Sequence, residues 1–433
     1  MMLFLLVSSI IRALCAHTNF WQIFLAHASI LVAVDTGRAK EKSYDPHLKT
    51  STLQPVWISQ ASAKQRKGRA GRTKPGVCFR LYSRKRHANF REFLESEILR
   101  TPLEEMCLQT KQLGLARDCS IAEFLAKALS PPHPRSVTNA LENLVDLGAL
   151  EQETLELTNL GKCLAVLSLE PRIGKMVIWS HLLGCAKMGV AMAVAMSYKS
   201  PFALPPPHLR RKADDLKVHL SAGSESDQIT VLHVLATRDV FMKRNNQQAY
   251  YNFCLQNFLN FSSLNMISDL RQSISRELTS LKFPPSENLN SYHNRHNHAG
   301  NDVAFLQAAI VAGLYPNVAS RVRGEFNFST MSNRKAKVHV ISVNSVRGQP
   351  LAAKCAVNEE EVEFIVFGEM VSAWMLIREC LKLSDLFLIS FFVSLSIFPS
   401  APWQKHVHHE SNLSFIFALT SHFVVRNTMC PPD

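Results

Sequence analysis

No Cys-x-x-Cys pair occurs in the 433 residues, and the ten cysteines stand singly without regular spacing. That pattern excludes a disulfide framework and a zinc knuckle, and it points to a reducing compartment. Long apolar runs are also lacking. A membrane-spanning helix needs about 20 apolar residues, whereas Leu386 to Phe398 is short, broken by serines and followed by Pro399 and Pro402. It reads as a buried strand. Met1 to Ala16 has an apolar stretch ending Ala-Leu-Cys-Ala, as a signal peptide does, but no positive charge precedes it. Neither secretion nor membrane attachment is expected.

The third shortage is local. From Gln60 to Arg91 there are eleven Lys and Arg and no Asp or Glu, while the rest of the chain holds 37 basic against 35 acidic residues. Almost the whole formal charge of +13 therefore sits in one stretch suited to a polyanion, and phosphate is the partner to look for. With 47% hydrophobic residues the chain is long enough for several cored domains, which excludes a disordered tail or a collagen-like rod. His293, His296 and His298 lie close together in the Asn/Ser-rich run Ser286 to Asn301, without a nearby cysteine. They read as a solvated loop, so no stable metal is expected.

Turning to the pattern along the chain, Ile30 to Val34 is a β-branched run ending at Asp35-Thr36-Gly37, as a buried parallel strand would. A basic loop is expected next. Ser62-Ala63-Lys64-Gln65 has capping-box spacing and would open a helix through Arg72, after which Lys74-Pro75-Gly76 turns into a strand from Val77 to Tyr82. These pieces suggest the end of an α/β domain. Thr101-Pro102-Leu103-Glu104 predicts a helix capped by Thr101 with Leu103, Met106, Thr110 and Leu113 on one face. Ser120 to Glu123 predicts a second helix, stopped at Pro131-Pro132, and Val137, Leu141, Leu144 and Leu147 mark a third before Gly148. A small hairpin from Leu150 to Leu157, turning at Gln152 to Thr154, precedes another helix from Leu160. Three helices and a hairpin make a winged helix-turn-helix. Glu170 to Lys282 reads as helical, with Val190 to Met196 buried on all sides. Val303 to Ala312 is a further helix, and Val338 to Val343, Phe364 to Phe367 and Trp374 to Ile377 read as strands of a small OB-type barrel.

The chemistry is concentrated in Gln65-Arg66-Lys67-Gly68-Arg69-Ala70-Gly71-Arg72. On a helix Gln65, Arg69 and Arg72 are spaced i, i+4 and i+7, so they share a face from which Arg66 and Lys67 turn away. Two guanidinium forks on one face suit a phosphate chain. Gly68 and Gly71 leave the helix surface bare for close approach of a nucleotide or another backbone. A solvated basic helix and a nuclear localisation signal in Lys64 to Lys74 fit the spacing equally well.

This eight-residue string resembles motif VI of superfamily 2 helicases in the form used by DEAH-box (RNA helicase A-like) RNA helicases. Val34 to Lys40, Trp57 to Ser62 and Leu99 to Glu105 resemble its surroundings in that family. Leu157 to Lys162 with Glu170 to Met176 is similar to the helicase-associated region, and Ala312 to Val318 to the entry of its OB fold. The resemblance implies a mixed α/β multidomain fold: a partial second RecA-like domain over 30–95, a winged helix over 96–165, a helical ratchet-type domain over 166–298 and an OB-like β-barrel over 299–391. Residues 1–29 and 392–433 match nothing in the family, as expected of a truncated or mis-spliced gene record. The implied activity is ATP-dependent RNA unwinding, with Arg69 and Arg72 as arginine fingers and Gln65 beside the terminal phosphate. ATP with magnesium is the implied cofactor, single-stranded RNA the implied ligand, helicase cofactor proteins further partners, and nucleus or cytoplasm the location. The chain has no Gly-x-x-x-x-Gly-Lys-Ser/Thr, no Asp-Glu-x-His and no Ser-Ala-Thr motif, so nothing in it would cradle the phosphates or bind magnesium. It is expected to be inactive alone, and a catalytically inactive RNA-binding or helicase-interacting accessory protein is the alternative.

Overall fold

The computed structural model describes residues 32–70, 72, 75–224, 226–283, 299–322, 327–331, 334–339, 341–345, 362–371 and 376–383. They fall into two compact units. The first is built mainly from the residues up to Asp146 with Leu150–Glu156, the second mainly from Leu147–Ala149 and Leu157–Met370 with the strand beyond.

In the first unit β1 (Val32–Asp35) pairs in parallel with β4 (Val77–Arg80), in the register Val32 to Val77 and Asp35 to Arg80. Between them the chain does not form the expected basic loop. It makes an antiparallel hairpin of β2 (Arg38–Asp45) and β3 (Thr50–Trp57), paired along its full length. The turn is built by Asp45, whose Oδ1 accepts from the backbone N–H groups of His47 and Leu48 at 2.8 and 3.2 Å. Helix α1 (Gln60–Arg69) starts three residues before the predicted point, because Ser59 is the cap and Ser62 donates its N–H to it at 3.1 Å. It also ends before Arg72, at the C-cap Ala70. A five-residue helix, α2 (Arg84–Ala88), follows β4, and Ile58, Ala63 and Phe90 form a small core with Ala39 and Tyr82 packed on it.

Three helices come next: α3 (Glu104–Gln112), α4 (Ile121–Leu125) and α5 (Pro134–Asp146). Thr101 does not cap α3. Leu103 takes the cap position, while the Thr101 hydroxyl donates to the Glu97 carbonyl at 2.8 Å. The buried face of α3 holds Cys107, Leu108 and Thr110, with Met106 and Leu113 exposed. At α4 both arms of the expected capping box are present, though the helix stops at Leu125, well short of Pro131. On α5 the buried set includes Val137, Ala140 and Leu144. A tight turn over Gln152 to Thr154 brings the Glu151 N–H to the Glu156 carbonyl at 2.9 Å.

The second unit is mainly helical, running α6 (Asn159–Val166), α7 (Pro171–Leu182), α8 (Ala186–Ser197), α9 (Arg210–Leu220), α10 (Asp227–Lys243), α11 (Gln247–Gln256), α12 (Phe261–Ser280) and α13 (Ala299–Leu314). Helix α8 is central: Val190 to Ala195 are all buried, and α7, α10 and α12 pack around it. Strands β5 (Val318–Val322), β6 (Phe328–Thr330), β7 (Lys335–Val338), β8 (Val362–Val371) and β9 (Leu376–Leu383) run in the order β8-β5-β6-β7-β9, and a β8–β9 pairing closes the sheet on itself. Its interior is Ala319, Phe328, Ala336, Ile365 and Phe367. The strand expected over Val338 to Val343 lies earlier, at β7, since residues 341–345 are turns. Asp227 at the start of α10 holds those turns: its carboxylate accepts from Lys217 Nζ at 2.8 Å, the Ser342 hydroxyl at 2.5 Å and the Val343 N–H at 3.0 Å. The histidine-rich run, Trp374, the apolar tail and both chain ends lie outside the described residues.

Candidate nucleotide-phosphate site

Helix α1 carries most of the candidate site and owes its position to a buried anion. Asp35, at the end of β1, is fully buried. Its Oδ1 accepts from the Gly37 N–H at 3.0 Å and from Arg66 Nη1 at 2.9 Å, and its Oδ2 accepts from the Tyr82 hydroxyl at 2.7 Å. The Arg66 fork also donates twice to the Arg38 carbonyl, at 3.2 Å each. One carboxylate thus ties strand, hairpin, helix and the segment after β4 together. Burial first, then the hydrogen bond to Asp35, pushes the Tyr82 phenol well above its ordinary range, and burial with the same carboxylate raises the Cys78 thiol. Gly37 is needed here, since its φ is +71° and a Cβ would stand 2.6 Å from the Tyr82 ring.

With Arg66 turned inward, the opposite side of α1 is left to solvent. Gln65 and Arg69 are one turn apart, both exposed, and neither has a hydrogen bond or ion pair to another described residue. Arg72 is exposed too, but it lies beyond the helix end, so the shared face holds for Gln65 and Arg69 only. A Cβ at Gly68 would meet nothing within 4 Å, which leaves open space beside Arg69. Gly71, Thr73 and Lys74 lie outside the described residues. A planar fork on an open, uncompensated helix face is suited to bidentate contact with phosphate oxygens. Among the described residues no group of three His, Cys, Asp or Glu side chains could hold a metal ion. Of the described side chains here, Gln65 and Arg69 have the chemistry to meet phosphate oxygens.

Asp35 and Tyr82 were not expected at the site. The sequence carries a weak sign of the first, a carboxylate closing an otherwise apolar strand, and none of the second. Among the described residues no helix is long and apolar enough to cross a membrane.

Comparison with known families extends beyond this region. The winged-helix model of the helicase associated domain (HA2) matches residues 140–169, its ratchet-like model matches 170–263, and the oligonucleotide/oligosaccharide-binding (OB)-fold model matches 306–395. The chain is 37% identical over 386 residues to the DExH-box ATP-dependent RNA helicase DExH1 of Arabidopsis thaliana, a match covering 88% of this chain and 36% of that protein. Human ATP-dependent RNA helicase DHX29 is 34% identical over 346 residues, 77% of this chain and 25% of DHX29. Rat ATP-dependent DNA/RNA helicase DHX36 is 32% identical over 400 residues, 89% of this chain and 38% of DHX36. The chain thus spans well under half the length of each of these relatives. With the three modules in sequence order and helicase relatives alike over most of its length, the chain belongs to the DEAH-box (DExH) RNA helicase family and carries its C-terminal, helicase-associated portion.

Proposed function

We propose that this chain is the part of an ATP-dependent RNA helicase that supplies the arginine fingers and the accessory RNA-facing domains. Residues 30–95 are read as the end of the second RecA-like domain, 96–165 as the winged helix, 166–298 as the ratchet domain and 299–391 as the OB fold. The observation that carries the reading is Arg69, exposed and without a described partner on a helix whose other side is fixed by Arg66 and Asp35. Arg69 and Arg72 would lie against the phosphates of ATP, with Gln65 beside the terminal one. Their guanidinium charge stabilises negative charge developing on a transferring phosphoryl group, and arginine fingers contribute on the order of 10³ to 10⁵ in rate. ATP and its magnesium would be held mainly by a phosphate-binding loop from another domain. Single-stranded RNA is the proposed ligand, helicase cofactor proteins are further partners, and the nucleus or cytoplasm is the proposed location.

Joining this chain to a matching domain with a phosphate-binding loop, and to the start of the second RecA-like domain, should give RNA-stimulated ATP hydrolysis. Arg69→Ala or Arg72→Ala should then remove most of it, by about 10³-fold or more. A restored enzyme indifferent to both substitutions would overturn the site assignment. The 433-residue chain alone should not hydrolyse ATP; RNA-stimulated turnover by it would show that the nucleotide is held within the chain. The lack of any Gly-x-x-x-x-Gly-Lys-Ser/Thr favours one second reading, an accessory protein that binds RNA without hydrolysis. A joined protein that binds RNA but never gains ATPase activity would favour it.

A further inference from the structure

Between the bridge that Phe202 makes with Leu259 and the start of α9, the chain runs Ala203-Leu204-Pro205-Pro206-Pro207. Proline fixes φ at about −65°, and the residue before a proline is pushed out of the helical region. Leu204, Pro205 and Pro206 each precede a proline, so the sequence alone holds them in extended or polyproline II backbone. Pro206 has φ −54° and ψ 153°, in the polyproline II region. The segment is anchored at both ends. The Ala203 N–H donates to the Phe258 carbonyl and the Asn260 N–H to the Pro201 carbonyl, each at 2.7 Å. Past the prolines the Leu209 N–H closes a 3₁₀ turn, Pro207–Leu209, on the Pro206 carbonyl at 2.9 Å. Between the anchors Leu204 is 60% exposed, Pro206 and Pro207 are exposed, and Pro205 is half-buried. Polyproline II has three residues per turn, so Leu204 and Pro206 stand on the two edges that Pro205 leaves outward. Among the described residues no hydrogen bond reaches the carbonyls of Leu204 and Pro205. Directly after the prolines come Arg210, Arg211 and Lys212, with no acidic residue before Asp214 and no ion pair to a described residue.

We propose that Leu204 to Pro207, with Arg210, Arg211 and Lys212, is a docking motif for a partner protein whose aromatic-lined groove reads a short polyproline II segment and whose rim is acidic. Such grooves exploit a ligand that is already extended, with its prolines set against aromatic rings and its backbone carbonyls free to accept. Both features are present here. The prolines hold the segment in its bound conformation beforehand and the anchors hold it to the domain, so little ordering entropy is lost on binding. A groove that reads two prolines three residues apart is not matched, because His208 stands three residues after Pro205. A groove that takes one adjacent pair, of the WW type, is matched by Leu204-Pro205 and by Pro205-Pro206. The three cations complement an acidic rim, which speeds encounter more than it adds affinity. The motif belongs to the helical unit and stands whether or not the chain takes part in ATP hydrolysis.

The test is titration of the 433-residue chain into a set of purified, fluorescein-labelled WW domains that carry Asp or Glu beside the groove, followed by anisotropy. At least one should bind saturably, and should stop binding when its groove tryptophan is replaced by alanine. Leu204→Ala/Pro206→Ala should weaken that complex by about tenfold or more. Both side chains are exposed, so the melting temperature should not move. Arg210→Gln/Arg211→Gln/Lys212→Gln should weaken it by about fivefold at low salt and flatten its salt dependence. Pro131→Ala, an exposed proline elsewhere, should change nothing. The proposal is overturned if no domain binds, if the groove variant binds equally well, or if Pro131→Ala weakens binding as much as Leu204→Ala/Pro206→Ala does. Should Leu204→Ala/Pro206→Ala melt early, the charge variant decides alone, and an affinity equal to that of the wild type would sink the motif. If a single-stranded oligouridylate binds and is lost with the same charge substitutions while no WW domain binds, the cations serve RNA and the proposal fails.

Discussion

Arg66 and Arg69 stand three residues apart on α1, yet their surroundings give them different work. Arg66 is 18% exposed and meets a fully buried carboxylate, whereas Arg69 lies in the open. Removing one member of a buried ion pair leaves an uncompensated charge and costs about 3–5 kcal/mol. Asp35 would keep the Gly37 N–H and the Tyr82 hydroxyl, so the low end of that range is expected for Arg66→Ala. Amide hydrogen exchange in peptides covering β1 and α1 should then accelerate by about a hundredfold, each factor of ten corresponding to about 1.4 kcal/mol. Arg66→Lys keeps the charge but not the fork that spans Asp35 and the Arg38 carbonyl, so it should fall between the two. An acceleration below about threefold for Arg66→Ala would show that the pair does not hold the helix. In the sequence, helical spacing separates Arg66 from the Gln65 and Arg69 face. It does not reveal what Arg66 touches, because Asp35 is 31 residues away and meets it only after the strand, hairpin and helix have packed.

At the scale of elements, two helix starts with nearly the same signature behave differently. Ser120 and Glu123 form both hydrogen bonds of a capping box, at 3.2 and 3.0 Å. Thr101-Pro102-Leu103-Glu104 does not, because the short 3₁₀ turn Glu97–Leu99 takes the Thr101 hydroxyl and Leu103, 1% exposed, is drawn into the core. Ser120→Ala should thus cost about 1 kcal/mol in a thermal or urea melt, and Thr101→Ala less than half of that. Equal losses would mean that Thr101 caps after all. The helical stretches were readable because their apolar residues recur at helical intervals, as with Val137 and Leu144, or fill a whole helix, as with Val190 to Ala195. The β2–β3 hairpin was not. Arg38-Ala39-Lys40-Glu41-Lys42-Ser43 has no apolar face, as its strands are half-exposed, and its clearest mark was the turn residue pair Asp45-Pro46. For the candidate site, Gln65 and Arg69 were legible from spacing within one helix, while Arg72 was misplaced because the end of α1 depends on Ala70 entering the core, where it is 1% exposed.

Across the whole molecule the two ends of the described chain differ in how well their sheets are covered. The closed five-stranded sheet buries Ala319, Phe328, Ile365 and Phe367, each under 5% exposed. The β1–β4 pair has only two strands among the described residues, and Val32, Val77, Phe79 and Leu81 are exposed by 45–55%. Parallel strands are normally covered on both faces, so a pair in this state should open more readily than the closed sheet. The same region offers trypsin eleven Lys and Arg from Lys64 to Arg91, nearly all of them exposed. Limited trypsin digestion should therefore remove the N-terminal part first and leave a resistant fragment that begins near Arg100 and retains the helices and the closed sheet. Cleavage tracks the population of the open form when opening and closing are fast, so the order of appearance of fragments reads local stability directly. Should residues 32–95 instead be the last to be cut, the two-stranded sheet is better covered than its exposure implies. The assignment of that stretch as an incomplete RecA-like piece would then be wrong.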